Sequence, residues 1–335
     1  MSFDQTVLVV GAGSIGRRHL ANLRKLCPAS RIVVLCRPES ADDTLLTLGA
    51  DHVVASLAAA LDERPHIAVI ANPAPLHVSV AQQMADIGCH LLVEKPFSDR
   101  IDGVDRLIDT CDAKGLVLMV GYNLRFFPSL QEMASLIAND AVGRVLHVSA
   151  EVAQYLPDWR PNSDYRQGVT AQSKLGGGAL LELSHEIDIA LWMGGAIVEV
   201  AASLDRVGDL EIDTDDCVDL LLKFESGARG SIHMDLLQRV PVRRCRVVGT
   251  TGTLEWDGIA DRLRCGLSSE GFVDVATRRL ADRNDMYINE VAHFLFCVAN
   301  GLKPVTDGQA AKRVLMTIVA ARASAASGCM PMRNQ

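Results

Sequence analysis

The segment VLVVGAGSIG, residues 7–16, constrains this chain more than any other. Four apolar residues run directly into three glycines spaced G-x-G-x-x-G. Ile15, His19, Leu23 and Leu26 then repeat at helical spacing. The implied unit is a buried strand, a tight turn and a helix. Gly11 permits the turn, Gly13 lets backbone approach a pyrophosphate, and Gly16 lets the helix pack on the strand. Ala12, Ser14 and Ile15 complete the loop, and the helix N-terminus offers free N–H groups and partial positive charge to an anion. A glycine turn without a ligand is the competing reading; the strand before and the helix after favour a dinucleotide site.

The same alternation continues through the first third. Apolar runs at 32–36, 51–54, 67–71, 91–93 and 116–120 are separated by helical patterns. Continuous apolar strands between amphipathic helices predict a parallel sheet covered on both faces, a doubly wound α/β domain over residues 1–122. The pattern then changes to period two. In VLHVSAEVA (145–153) and GSIHMDLL (230–237) apolar and polar residues alternate, and CVDLLLKF (217–224) does so in part. This predicts a second domain over 123–335 with a large, mostly antiparallel open sheet, interrupted by a helix at about 176–194 and followed by helices at about 284–300 and 306–326. Apolar residues such as Leu221, Leu237 and Val248 on such a sheet are costly to expose, which predicts a homodimer or homotetramer through that face.

Net charge of −8 and the lack of a basic stripe argue against a nucleic-acid partner. Nine cysteines stand singly with no C-x-x-C spacing, so neither a zinc site nor a disulfide framework is expected, and a reducing cytoplasm is the natural compartment. No signal peptide and no membrane-spanning apolar run are read.

Four further places carry chemistry. Where a dinucleotide site usually has an acid for the ribose diol, Arg37 stands, with Ser40 nearby. A guanidinium suits a 2′-phosphate, which favours NADP over NAD; stacking on adenine would leave the choice open. Asn72, Pro73 and His77 follow the strand at 67–71 and either face the cofactor or start and cap a helix. Glu94-Lys95-Pro96 ends the next strand on the same rim. A lysine there can reach a nicotinamide and the hydroxyl being oxidised, with its ammonium pKa depressed by the oxidised ring. Glu94 either holds a ribose hydroxyl or orients the lysine, and Pro96 fixes the exit, with a cis bond among the options. Last, in GGGALLELSHEID (176–188), Glu182, His185 and Asp188 recur every three residues along one helix side, a plausible acid/base group. H-E-x-x-H fails there because position 189 is Ile.

In their order, GAGSIG, NPAPLH, VEKPF, GYNLRFFP and GGGALLELSHEID resemble the Gfo/Idh/MocA oxidoreductases. The resemblance implies a Rossmann domain joined to a C-terminal α/β domain. It implies hydride transfer between NAD(P) and a secondary hydroxyl or ketone of a sugar, modified sugar or cyclic polyol. By that resemblance Lys95 is a catalytic or proton-relay group and His185 the acid/base. Asn123 and Arg125 are expected to line the substrate cleft, and the loop at 155–168 to add Trp159, Arg160 and Tyr165. Many relatives have an acid four residues before the histidine; Glu182 is only three before His185, which leaves Asp188 as the residue to orient it. Two other activities fit the same motifs: glycoside hydrolysis or elimination through transient oxidation, with no net redox, and non-enzymatic nicotinamide sensing.

Overall fold

The computed structural model describes residues 5–267 and 271–334. The outermost residues of the two expected domains, 1–4 and 335, lie outside that range. The chain forms two compact units, Met1–Asn123 with Asp282–Lys312, and Leu124–Ala281 with Arg313–Gln335.

In the first unit, strands β1 (Val7–Val10), β2 (Ile32–Leu35), β3 (His52–Val54), β4 (Ile67–Ile70), β5 (His90–Glu94) and β6 (Leu118–Gly121) form one sheet in the order β3-β2-β1-β4-β5-β6. Every pairing is parallel. All residues of β1, β4 and β6 are buried, as unbroken apolar runs require when helices cover both faces. Each buried Val, Leu or Ile contributes roughly 1.5–3 kcal/mol relative to exposure. Between the strands run α1 (Ser14–Leu26), α2 (Asp43–Thr47), α3 (Leu57–Asp62), α4 (His77–Asp86) and α5 (Val104–Lys114). The order reverses direction between β1 and β4, so the crevice beyond their carboxyl ends is where this topology binds ligands.

In the second unit α6 (Pro128–Ala138) and β7 (Val145–Ala153) come first. Next are α7 (Ala179–Glu182) and α8 (His185–Gly194), then β8 (Ile197–Asp205), β9 (Cys217–Phe224), β10 (Arg229–Asp235), β11 (Val242–Gly249), β12 (Thr253–Asp257), β13 (Arg262–Gly266) and β14 (Val273–Val275). The chain then returns to the first unit through α9 (Asn284–Asn300). Helix α10 (Gly308–Ala326) starts there and ends in the second unit, where β15 (Met332–Arg333) adds to the sheet. The sheet has nine strands in the order β14-β13-β12-β11-β7-β10-β9-β8-β15, antiparallel except where β10 meets β7. Val218, Leu220, Leu222 and Phe224 of β9 are buried, while Asp219 and Leu221 between them are exposed. One face is therefore core and the other is not, which is the origin of the period-two pattern.

Two expectations change. Residues 282–312 belong with the first unit, not with the rest of 123–335. The reason is local: α9 packs on α1, and the following segment covers the open edge of β6. Val120 donates its N–H to the Thr306 carbonyl at 2.9 Å, Thr306 Oγ1 donates to the Val120 carbonyl at 2.7 Å, and Met119 bridges Asp307. An uncovered strand edge is a pairing liability, and this segment removes it. The second change is that the expected helix at 176–194 is two helices. Tight bonds, Ser184 N–H to Leu181 carbonyl and Glu186 N–H to Leu183 carbonyl, replace the regular ladder at 183–184. Among the described residues no helix is long and apolar enough to cross a membrane.

Candidate active site

Gly11 and Gly16 occupy the tight positions that the spacing predicts. Gly11 has φ +101°, and a Cβ there would lie 2.6 Å from the Ala71 carbonyl oxygen. A Cβ on Gly16 would collide with the Gly11 carbonyl. Gly13 differs: it has an ordinary φ, and a Cβ on it would meet nothing within 4 Å. Nothing in the chain's own packing therefore demands glycine at 13, and the open space in front of it suits a molecule from outside. Gly13 caps α1 with no side-chain acceptor on the first N–H groups and no acid in the first turn. Those unpaired donors and the helix dipole fit a pyrophosphate. Beside the loop, Asn72 Oδ1 is buried without a hydrogen-bond partner among the described residues, a second polar group with capacity for a ligand. Arg17 ties the loop down, donating from Nε to the Ala12 carbonyl (2.8 Å) and pairing with Asp42 (2.8 Å).

Arg37 follows β2 with a side chain 79% exposed and only a 3.4 Å pairing to Glu39. Its guanidinium is thus accessible from outside the chain.

His77 does not present a free ring to a cofactor. It is buried, with Nδ1 3.0 Å from the Pro96 carbonyl and Nε2 2.7 Å from the Asn72 carbonyl. Burial lowers its pKa against the opposing pull of those carbonyls. The ring ties the turn after β4 to the turn after β5, which is a positioning role.

Glu94 is also turned inward. Its Oε1 lies 2.6 Å from His19 Nε2, and its Oε2 accepts the Lys95 backbone N–H at 3.1 Å. Burial alone would raise this carboxyl. The hydrogen bond and charge of His19, with the charge and N–H of Lys95, outweigh it and hold the group below the ordinary range. Of the two readings of Glu94, this placement supports orienting the lysine, not holding a ribose hydroxyl. The Lys95–Pro96 bond is cis, one of the options read from the sequence. Lys95 is half-buried at the strand end.

In the second unit, Gly176, Gly177 and Gly178 set the entry to α7. Gly178 has φ +101°, and a Cβ on Gly177 would press on the Thr170 carbonyl. Asp215 accepts the Leu180 N–H at 2.8 Å, fixing the helix start. His185 opens α8 and is buried. Because the helix is interrupted, Glu182 and His185 do not share a continuous face; Thr170 Oγ1 donates to Glu182 at 3.4 Å. Asp188, expected to orient His185, receives both arms of Arg125, at 2.7 and 2.8 Å, with the guanidinium 4.4 Å from the Trp192 ring. Arg125, with a side chain 14% exposed, is therefore a largely covered cation with Asp188 as its counter-ion. Glu186, one residue after the histidine, is matched by Arg243 at 2.8 and 3.1 Å. Two buried bidentate pairs thus hold α8 where the sequence suggested none.

Asn123 is buried and ends the first stretch of the first unit. In the 155–168 loop, Arg160 is exposed, and the Tyr165 hydroxyl accepts the Glu211 N–H at 3.2 Å. The Trp159 indole N–H has no partner among the described residues. The sequence reading missed His19 as a site residue and gave no role to Glu290 or Arg243. The one signal was His19 itself, a polar residue on the apolar stripe of α1.

Comparison with known proteins agrees with this layout. Residues 5–122 match the model of the oxidoreductase family with NAD-binding Rossmann fold, and residues 130–255 match the GFO/IDH/MocA C-terminal domain. The chain is 26% identical over 260 residues to levoglucosan dehydrogenase of Pseudarthrobacter phenanthrenivorans, spanning 67% of this chain and 66% of that protein. It is 26% identical over 334 residues to myo-inositol 2-dehydrogenase of Thermotoga maritima, spanning 94% and 95%. The fold is shared with a solved levoglucosan dehydrogenase in complex with NADH, at TM-score 0.88 and 23% identity over 99% of both chains.

Proposed function

Because the chain belongs to the GFO/IDH/MocA family of NAD-binding oxidoreductases, we propose that it transfers hydride between a nicotinamide dinucleotide and a secondary hydroxyl or ketone of a sugar, modified sugar or cyclic polyol. The observation that carries the reading is the open, donor-rich cradle at Gly13, two strands from a lysine held at the end of β5. The names of the dehydrogenases it resembles support the substrate class.

When bound, the nicotinamide supplies the hydride acceptor or donor. The chain's residues do the rest. Backbone N–H groups at 13–15 hold the pyrophosphate. Arg37, with Ser40, takes a ribose 2′-phosphate, so NADP is preferred to NAD. His185, helped by Lys95, removes the hydroxyl proton in oxidation; in reduction the same two proton-transfer groups return it. Glu94 fixes the peptide from which Lys95 departs.

The test follows nicotinamide absorbance with a panel of sugars and cyclic polyols while product is measured directly. Stoichiometric absorbance change with product supports the reading. Product without net change points to transient oxidation followed by elimination or hydrolysis. Tight cofactor binding with no product anywhere on the panel points to a sensor.

For the cofactor, Arg37→Asp should weaken NADPH about 10- to 100-fold, as loss of a charge-assisted hydrogen bond implies, and change NADH far less. An unchanged NADPH-to-NADH affinity ratio, measured by fluorescence titration, rejects the 2′-phosphate role. For assembly, Leu221 stands 65% exposed on the open sheet, and we expect a dimer or tetramer in light scattering at micromolar concentration. A monomer there removes the self-association reading.

A further inference from the structure

Next to Lys95 the first unit holds a closed group of which the reaction outlined above uses only Glu94. His19 of α1, Glu94 of β5 and Glu290 of α9 bring one ring nitrogen and two carboxylate oxygens within 4.8 Å of one another. Glu290 and His19 have no exposed surface, and Glu94 has 6%. Glu94 is satisfied, by His19 and by the Lys95 N–H. Glu290 is not: neither of its oxygens has a hydrogen-bond partner among the described residues. The surroundings do not neutralise it. Arg18 lies over the Tyr287 ring at 4.4 Å, and Tyr287 meets His19 edge-on, so that guanidinium is engaged with a ring. A buried carboxylate with no donor, next to a second carboxylate, is among the costliest arrangements a protein interior can hold. A neutral acid in the same place is tolerable.

We propose that Glu290 is kept as a neutral carboxylic acid and is a positioning residue for Lys95, acting through Glu94. This rests on the reading of Lys95 as the proton-transfer group. With Glu290 neutral, Glu94 is the sole anion in the cluster, and its two oxygens remain on His19 and on the Lys95 peptide. Once Glu290 ionises, two like charges share one pocket, and Glu94 is driven from the N–H that sets the direction of the lysine. Burial and the charge of Glu94 both push the Glu290 carboxyl well above the ordinary range, in line with the geometry. The groups near it are Glu94 from the strand end, His19 from α1 and Tyr287 from its own helix, with Arg18 of α1 over the Tyr287 ring. His77 feels Glu94 from α4, and burial lowers its pKa.

The sign of the stability effect follows. A carboxyl whose folded pKa is raised gives stability that is complete below the unfolded value near ~4.3 and is lost as pH rises toward the folded value. Glutamine mimics the neutral acid and does not titrate. Melting of the cofactor-free protein and of Glu290→Gln is therefore compared between about pH 5 and pH 9. The variant should gain on the wild type as pH rises, by about tenfold in the unfolding constant per pH unit until Glu290 ionises. The second measurement is acylation of Lys95, mapped by peptide mass spectrometry over the same pH series. The wild-type-to-variant ratio should change by more than about threefold through the pH at which the melting difference levels off.

Parallel melting differences at all pH values overturn the neutral acid, and so does a stoichiometric divalent ion found by elemental analysis after chelation. A flat labelling ratio overturns the positioning role. If glutamine prevents folding, Glu290→Met carries both measurements. Neither measurement needs a substrate, so failure of the proposed reaction shows separately, as undiminished turnover in a lysine variant.

Discussion

Lys95→Met lowers turnover by about 10²–10⁴-fold, the usual worth of a positioned proton-transfer group, and leaves cofactor affinity within about threefold. Methionine keeps most of the aliphatic stem and removes the ammonium. The bond that Glu94 makes is to the Lys95 backbone N–H, which the substitution retains, so the strand end keeps its local geometry. Glu94 does lose one nearby positive charge, but His19 remains at 2.6 Å. His185→Ala should act on the same step by a similar factor. The measurement is kcat with a substrate identified on the sugar panel, beside a cofactor titration. Near-full activity in the lysine variant removes its catalytic role; loss of cofactor binding in step with kcat reassigns it to binding.

Asp188→Ala should destabilise the second unit by about 3–5 kcal/mol, because it strands a buried guanidinium without its counter-ion. Asp188 is 2% exposed and meets Arg125 through two bonds. The double variant Arg125→Met/Asp188→Leu should recover most of the loss, since replacing both partners leaves no unpaired charge. The protein supplies its own probe: all three tryptophans, Trp159, Trp192 and Trp256, lie in this unit, and Trp192 stacks under the arginine. Urea unfolding followed by tryptophan fluorescence therefore reads the affected unit. A loss below about 1 kcal/mol, as for an exposed pair, would mean that the ion pair contributes little.

The parallel sheet was legible in the sequence because strands covered on both faces are uninterrupted apolar runs, and VLVV, IAVI and LLV each read as one. The antiparallel strands were legible as elements, not as a sheet. Nothing in the alternation of residues 145–153 shows that their neighbours are 229–235 on one side and 242–249 on the other, since such pairing is decided by distant backbone. The same limit applies to the site. GAGSIG and EKP name their own positions because the chemistry is local. Asp188 reads as a partner for His185 three residues away, and nothing local shows that it pairs with Arg125, 63 residues away. His19 and Glu94 are 75 apart. A glutamate within a helical pattern, such as Glu290, gives no sign in sequence that its carboxyl faces inward.

The route of the chain through α9 decides how the nucleotide-binding half could be prepared alone. A gene cut after residue 123 would yield a piece whose first helix has lost its covering neighbour and whose last strand has an uncapped rim. It would also lack one of the three members of the buried acid–imidazole group. A faithful miniature would instead graft the stretch 282–312 onto the severed end, so that a discontinuous gene product becomes a single autonomous polypeptide.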